Sequence, residues 1–271
     1  MIGRTGCSYL LPRVGGVIGR EPREIWLESL EDGKRRLGRT GPVLAATGLI
    51  GGLHVTIGLL AVVVTTGALA EVMPDYPAHV IGSLTFGIGL VFLTIGRSEL
   101  FTENFLIPVT AALSGQCTKL AVGRLWIVTL VANLAGILIF VALMSISGVL
   151  EPEALDAAGK LADTLAERDL LAAFASSILA GAIITTFTWL AEASESDLTR
   201  LFIALLIGFV LIAPSTNHSV IGFGEILFGL LADTTSADWL DLVRNTVVAI
   251  AGNIVGGIVL IAFARRVQAE A

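Results

Sequence analysis

Long apolar runs separated by short polar segments make up most of the chain after residue 41. A helix needs about 20 apolar residues to cross the roughly 30 Å of hydrocarbon in a bilayer. Six runs reach that length, so the pattern predicts an all-α membrane protein with six transmembrane spans. The predicted spans cover roughly 42–66, 79–113, 123–147, 170–191, 200–231 and 240–264.

The second and fifth predicted spans are too long for a simple crossing. A continuous helix over 200–231 would extend about 48 Å at a rise of about 1.5 Å per residue. Both spans also contain a polar interruption, at 97–104 within "GRSELFTENFLIPV" and at 214–219 within "APSTNHSV". Non-helical backbone at membrane depth must be buried in protein or line a watery cavity. We therefore expect both spans to be broken helices around such a cavity.

The composition agrees with membrane insertion. Hydrophobic residues make up 55% of the chain and charged residues only 15%, whereas a soluble domain has about 25% charged residues. The formal net charge is -6. No basic patch with interleaved aromatic residues supports nucleic-acid binding, and no motif indicates a cofactor or a metal ion.

The Lys and Arg residues predict the orientation. Thirteen of the 17 lie before the first span, between the second and third, between the fourth and fifth, or after the sixth. We therefore expect a multi-pass protein of the inner (plasma) membrane with both termini in the cytoplasm. Cys7 and Cys117 fall in predicted cytoplasmic segments, which disfavours a disulfide. The predicted domains are a cytoplasmic segment at 1–40 with a short interfacial helix, a six-span domain at 41–266 and a cytoplasmic tail at 267–271.

The two halves of the chain contain similar stretches. The stretch "GLVFLTIGRSELFT" from Gly89 is similar to "GFVLIAPSTNHSVI" from Gly208, 119 residues later. A second match, at an offset of 120, pairs Asn133 with Asn253. Each half has three spans, an odd number, so the halves are expected to insert with opposite topology. Inverted repeats with broken helices are typical of transport proteins, whose substrate site lies near the midplane where the breaks meet.

His218, in the second break, is the leading candidate for a functional side chain. Imidazole is the side chain that most easily gains or loses a proton near neutral pH. A neutral ring can hydrogen-bond an anion or a weak acid, and a protonated ring attracts the anion and can donate its proton. The structural alternative is a histidine that ties the loop together. Thr102, in the first break, either bonds His218 or substrate, or caps the following helix.

Three charged residues, Arg97, Glu99 and Glu103, surround the first break. One interpretation is a paired structural clasp that holds the loop. The other is an electrostatic gate, in which Arg97 favours anions and the two carboxylates oppose them. At the 119-residue offset, Glu99 corresponds to His218. The predicted outer segment at 148–169 is expected to form an amphipathic helix. It is also acidic, and an acidic mouth repels anions.

The stretches "FGIGLVFLTIGRSELFTENFLIPV", "NHSV" and "GNIVGG" resemble the formate/nitrite transporter family over about 39–266. The sequence Arg-Ser-Glu before Leu-Phe-Thr is similar to its divergent YfdC-like branch. The resemblance implies an aquaporin-like protomer, assembled as a homopentamer with one path per protomer. It also implies small monovalent anions, such as formate, nitrite, hydrosulfide or lactate, that are handled together with a proton.

The resemblance assigns roles to single residues. His218 matches the family's central pore histidine, and Thr102 matches the threonine opposite it. Asn217 stands where formate channels often have Glu. Three further residues occupy positions of apolar constriction residues: Phe86, Leu90 and Leu211.

Other functions stay open on the sequence alone. The scaffold would also permit a neutral-solute channel for water or glycerol, or a non-conducting structural or regulatory membrane pentamer. An intramembrane protease would need a Ser nucleophile with a His base in reach. Ser98 or Ser215 with His218 would be that pair, but no nucleophile motif supports it, and we expect no enzymatic activity.

Overall fold

The computed structural model describes residues 19–270, and this part of the chain is helical apart from short connections. Cys7, one of the two cysteines expected in the cytoplasm, lies outside the described residues. A 3₁₀ turn spans Thr102–Phe105, and a π-helix spans Val255–Ala262. The α-helices are α1 (Pro22–Leu37), α2 (Gly41–Ala70), α3 (Asp75–Ser83), α4 (Gly87–Ile95), α5 (Ile107–Leu113), α6 (Lys119–Met144), α7 (Pro152–Ala166), α8 (Leu170–Ala193), α9 (Asp197–Ile212), α10 (Ile221–Ala232), α11 (Trp239–Ile254) and α12 (Phe263–Ala269).

Five helical segments in the described range are long and apolar enough to cross a membrane, by length and composition. Each overlaps one of the predicted spans, and only the fifth predicted span has no counterpart of this length. The structure is therefore that of an all-α, multi-pass membrane protein. The five segments are Gly41–Ala70, Asp75–Ile95, Lys119–Met144, Leu170–Ala193 and Trp239–Ala269.

Helix is interrupted at both of the polar stretches. Between α4 and α5, residues 96–106 are not α-helical, and we call this segment the first break. It contains one element of regular structure, the 3₁₀ turn. Between α9 and α10, residues 213–220 are not α-helical, and we call this segment the second break. The 32 residues from 200 to 231 therefore do not form one continuous helix.

Two glycines allow the long helices to approach one another very closely. α2 packs on α6, and α8 packs on α11. A Cβ atom on Gly52 of α2 would lie 2.1 Å from the backbone oxygen of Asn133, and one on Gly181 of α8 would lie 2.2 Å from that of Asn253. Both distances are far shorter than van der Waals contact, so only glycine fits. The same contact thus occurs once in each half of the chain.

Two amphipathic helices cover the ends of this arrangement. α1 begins with Pro22, which suits the first turn of a helix, and buries Ile25, Trp26 and Leu30 against α5 and α12. α7 lies in the stretch predicted to be an acidic outer loop and buries an Ala/Leu face on α2 and α10. α1 and α7 therefore belong to the folded body of the protein.

We expect the substitution Gly52→Ala to destabilise the protein by about 3 kcal/mol, because overpacking against fixed backbone forces the helices apart. The matched control is Gly123→Ala in α6, where a Cβ atom meets nothing within 4 Å. That change should be neutral or slightly stabilising, because Ala is the better helix former. Thermal melting of the purified protein in detergent measures both variants, and equal melting temperatures would contradict the close contact.

Candidate functional site

Two cavities lie at opposite ends of the long helices. The first, about 590 Å³, is lined by residues of α1 and by Arg39, which precedes α2. The second, about 640 Å³, is lined by residues of α7 and by Thr66 and Ala70 near the far end of α2. We call them the α1-side cavity and the α7-side cavity. The 30 residues of α2 extend about 45 Å, so the two cavities open at ends of the protein that are roughly a membrane thickness apart.

Each break opens into one of these cavities. Ser98 and Glu99 of the first break line the α1-side cavity. Pro214 and Ser215 of the second break line the α7-side cavity. The two non-helical segments therefore enter the protein from opposite ends.

The breaks meet at a hydrogen bond between Thr102 and His218. The Thr102 Oγ1 and His218 Nε2 atoms are 2.9 Å apart. His218 is only 1% exposed and Thr102 is fully buried. Neither is among the described residues that line the two cavities. The contact therefore lies in the closed region between them.

The surroundings of His218 determine which nitrogen carries the hydrogen. The Nδ1 atom accepts from the backbone N–H groups of Val220 at 3.3 Å and Ile221 at 3.2 Å. A nitrogen that accepts hydrogen bonds has no hydrogen of its own, so the neutral ring carries it on Nε2. The Nε2–H group then donates to Thr102 Oγ1, and the hydroxyl hydrogen of Thr102 is left free to donate elsewhere.

Asn133 of α6 holds the backbone of the first break. Its Oδ1 atom accepts from the backbone N–H of Phe101 at 2.8 Å. Its Nδ2 group donates to the carbonyl oxygens of Glu99 at 2.9 Å and of Gly48 in α2 at 2.7 Å. One buried amide therefore ties the break to two long helices.

Asn253 of α11 does the same for the second break. Its Oδ1 atom accepts from the backbone N–H of Ser219 at 2.9 Å. Its Nδ2 group donates to the carbonyl oxygens of Asn217 at 3.1 Å and of Ser177 in α8 at 2.8 Å. The match between Asn133 and Asn253 in the sequence thus corresponds to equivalent hydrogen bonds.

These hydrogen bonds correct the register expected between the two breaks. Asn133 binds Glu99 and Asn253 binds Asn217, an offset of 118. The left-handed residues Arg97 (φ 50°) and Ser215 (φ 52°) have the same offset. The expectation that Glu99 corresponds to His218 was therefore wrong by one residue. The offset of 119 came from matching apolar residues in the helices. In the breaks, the hydrogen bonds to Asn133 and Asn253 determine which residues are equivalent.

The three apolar candidates are all fully buried. On the stretch formed by α3 and α4, His79 lines the α7-side cavity and Leu93 lines the α1-side cavity. Phe86 and Leu90 lie between those two positions in sequence and line neither cavity. Leu211 precedes the second break by two residues. None of the three lines either cavity, and their role as constrictions stays a prediction.

The charged residues of the first break divide into two groups. The Glu99 carboxylate forms ion pairs with Arg36, at 3.2 Å, and with Arg39. Arg36 also donates to Asn104 Oδ1 at 3.2 Å, and Glu103 accepts from the backbone N–H of Leu100 at 3.1 Å. This geometry favours the clasp interpretation for Glu99.

Arg97 has a different environment. Its side chain is exposed and lines the α1-side cavity, and it forms no ion pair among residues 19–270. The arginines that do hold Glu99 were missed in the sequence, where Arg36 and Arg39 counted only toward the orientation. Arg39 and Glu99 are 60 residues apart in the chain, and α2, α3 and α4 lie between α1 and the first break, so no local sequence signal indicates these ion pairs.

Asn217 contributes several of the hydrogen bonds that hold the second break. Its side chain and that of Asn245 in α11 donate to each other, at 2.8 and 3.0 Å. Its backbone N–H donates to Ser176 Oγ at 3.1 Å. This geometry supports a loop-holding role, and a direct contact between Asn217 and solute stays a prediction.

The serines that a protease mechanism would need are bonded to other histidines. Ser98 Oγ lies 2.9 Å from His54 Nδ1, and Ser215 Oγ lies 3.3 Å from His79 Nε2. Neither hydroxyl is hydrogen-bonded to His218 in the described structure, and the ring contacts Thr102 instead. The described structure therefore pairs neither Ser98 nor Ser215 with His218.

We expect Glu99→Gln to destabilise the protein by about 2 kcal/mol, because it leaves two partly buried arginine charges without their partner. The matched control is Glu31→Gln, which breaks an exposed ion pair with Lys34 and should change stability by less than about 0.5 kcal/mol. Thermal melting and proteolysis near α1 measure the effect. Unchanged melting with an altered ion preference would instead support a gate.

Comparison with known proteins identifies the family and the fold of the chain. A sequence model of the formate/nitrite transporter family matches residues 23–267. The formate channel BtFdhC of Bacillus thuringiensis is 26% identical over 256 residues, which cover 90% of this chain and 93% of that protein. Two solved structures share the fold, an "FNT family ion channel" (TM-score 0.79, 16% identity, 90% of this chain and 98% of that one) and a "pentameric formate channel with formate bound" (TM-score 0.71, 18% identity, 85% and 98%). The chain belongs to the formate/nitrite transporter family.

Proposed function

We propose that the protein is a membrane channel or transporter for a small monovalent anion, such as formate, or for its neutral weak acid. The observation that carries this proposal is the buried Thr102–His218 hydrogen bond, which lies where two helix breaks meet between two separate cavities. The relative BtFdhC is named a formate channel, and one structural neighbour has formate bound. Nitrite is a second candidate of the same charge and similar size.

The proposed architecture has six spans in two inverted repeats, with spans two and five broken as in an aquaporin-like protomer. The equivalent hydrogen bonds of Asn133 and Asn253 support the repeat, and the two breaks that open to opposite cavities support the opposite topology. We propose a homopentamer, since the neighbour with formate bound is pentameric. With both termini in the cytoplasm of an inner membrane, the α1-side cavity is the cytoplasmic mouth.

The apolar residues between the cavities favour the neutral acid over the anion. Moving an unpaired charge into low dielectric costs several kcal/mol, and Phe86, Leu90 and Leu211 offer it no polar partner. At the Thr102–His218 contact, the free hydroxyl hydrogen of Thr102 can donate to the solute. The pair can therefore recognise a hydrogen-bond acceptor between the two cavities.

The tautomer of His218 supports the proposed proton linkage. An imidazolium carries hydrogens on both nitrogens, so the N–H groups of Val220 and Ile221 must turn away from Nδ1 before a proton can bind there. We propose that His218 is neutral when no solute is bound, and that protonation of its Nδ1 atom is coupled to movement of the second break. The solute then crosses the apolar region together with a proton, and no covalent chemistry is involved.

We expect His218→Phe and Thr102→Val to lower formate flux at least about tenfold, because a hydrogen bond to a charged or ionisable group contributes about 1.5–3 kcal/mol. Thr102→Ser keeps the hydroxyl and should keep most of the flux. The matched control is Thr56→Val, which removes a buried hydroxyl that bonds only within α2. Acid-stimulated flux into proteoliposomes, measured across a pH series, tests all four variants.

The oligomer of each variant is checked by native mass spectrometry, because loss of the pentamer would also abolish flux. Unchanged flux at every pH in a folded His218→Phe pentamer would remove the histidine from the mechanism. Equal flux for Thr102→Val and Thr56→Val would show that the hydroxyl has no role.

A further inference from the structure

Arg97 occupies a backbone position that glycine would take more easily. Its φ is 50°, in the left-handed region, and its counterpart Ser215 in the second break has a φ of 52°. The conformation thus recurs at the same place in each half, so the break itself requires it. Glycine adopts this region without the clash that a Cβ atom introduces. A residue other than glycine is therefore expected to contribute through its side chain.

The side chain of Ser215 makes a contact that accounts for its presence. Its hydroxyl lies 3.3 Å from His79 Nε2. Arg97 lines the α1-side cavity, and among residues 19–270 neither an ion pair nor a side-chain hydrogen bond engages its guanidinium. Its five N–H donors are therefore available to a ligand in the cavity.

The other arginines that line this cavity are already paired. Arg36 and Arg39 hold Glu99, Arg35 binds Asp32 at 2.9 Å and Arg200 binds Asp197 at 3.1 Å. In total, five arginines and five acidic residues line the α1-side cavity, so the formal charge of its lining is zero. The acids are Glu28, Asp32, Glu99, Glu103 and Glu192.

The α7-side cavity has a different balance. It is lined by two cations and five acids, which gives a formal charge of 2 − 5 = −3. Lys160 bonds Asp156 at 2.9 Å and Asp75 at 3.0 Å, and these hydrogen bonds raise its pKa. Arg168 donates to the Ser215 carbonyl and to Ser176 Oγ. Both cations are engaged, and the acids are Asp75, Glu153, Asp156, Asp163 and Glu167.

We propose that Arg97 is the receptor for a small monovalent carboxylate at the α1-side cavity and that the α7-side cavity has no equivalent. Guanidinium is well suited to a carboxylate, which it binds with two parallel N–H donors. The anion is captured from the α1 side and passed toward Thr102, whereas the acidic cavity at the other end repels it. The proposal rests on the proposed anion transport and specifies the side from which the anion is bound.

The test uses Arg97→Gly, which removes the guanidinium and relaxes the backbone, so loss of folding is not expected. The matched control, Asp233→Gly, makes the same change at a left-handed residue (φ 56°) at the end of α10. Single-channel currents are recorded in planar bilayers with formate added to one side at a time, and their dependence on formate concentration gives the half-saturating concentration for that side. At about 20 mM ionic strength, Arg97→Gly should raise the half-saturating formate concentration about fivefold from the α1 side, and this effect should vanish at about 0.5 M.

When formate is added from the α7 side, the half-saturating concentration of both variants should stay within about twofold of that of the unmodified protein. The charge of Arg97 has little effect beyond a Debye length. An equal rise from both sides, or a rise that salt does not reduce, would overturn the proposal. So would an Asp233→Gly variant that behaves like Arg97→Gly, because the effect would then come from the backbone.

A second readout separates this proposal from the proposed function. Saturation-transfer NMR with formate measures binding to the detergent-solubilised pentamer without any transport. If the unmodified protein carries no formate, the proposed function fails, and the binding data alone decide on Arg97. Weaker formate binding in Arg97→Gly than in Asp233→Gly supports the receptor, and equal binding in the two variants overturns it.

Discussion

Backbone that leaves the helix inside a membrane protein must find hydrogen-bond partners, because lipid supplies none. Here two asparagine side chains satisfy this constraint. Asn133 and Asn253 each bind one N–H group and one carbonyl group of a break, and each also binds a carbonyl of a neighbouring long helix. An unsatisfied buried group costs about 1–3 kcal/mol, so each amide contributes substantially to the stability of its break.

The rest of the arrangement depends on how tightly the asparagines are held. The backbone oxygen of each asparagine is in close contact with a glycine of a neighbouring helix, Gly52 for Asn133 and Gly181 for Asn253. With the loops fixed, Thr102 and His218 come within hydrogen-bond distance from opposite ends of the protein. Ion pairs at one end and an amide pair at the other then secure the outer parts of the loops. Packing, loop geometry and the central contact are thus one connected structure.

Much of this was predictable from the sequence. Apolar runs longer than one crossing, each with a polar interruption, predicted where helix would stop. The recurrence of Asn133 at Asn253 indicated that the two halves are related. The sequence also predicted that Thr102 and His218 would meet, through the family resemblance. These signals are local, or depend on patterns that repeat along the chain.

What the sequence did not predict depends on contacts between distant elements. The pairing of Glu99 with Arg36 and Arg39 needs α1 to fold over the first break, and no spacing rule connects them. The register between the breaks was wrong by one residue, because apolar similarity in the helices does not fix the backbone hydrogen bonds of a loop. The reciprocal amide pair of Asn217 and Asn245 was also missed, because it joins a loop to a helix that is distant in the sequence.

The most direct test of the central contact is the ¹⁵N NMR spectrum of histidine-labelled protein before and after addition of formate. The chain has three histidines, and the His218 signals are those that disappear in His218→Phe. The account predicts a neutral His218 ring at pH of about 7, with hydrogen on Nε2, and an Nε2 signal that shifts when formate is added. A ring with hydrogen on Nδ1, or signals that do not respond to formate, would contradict it.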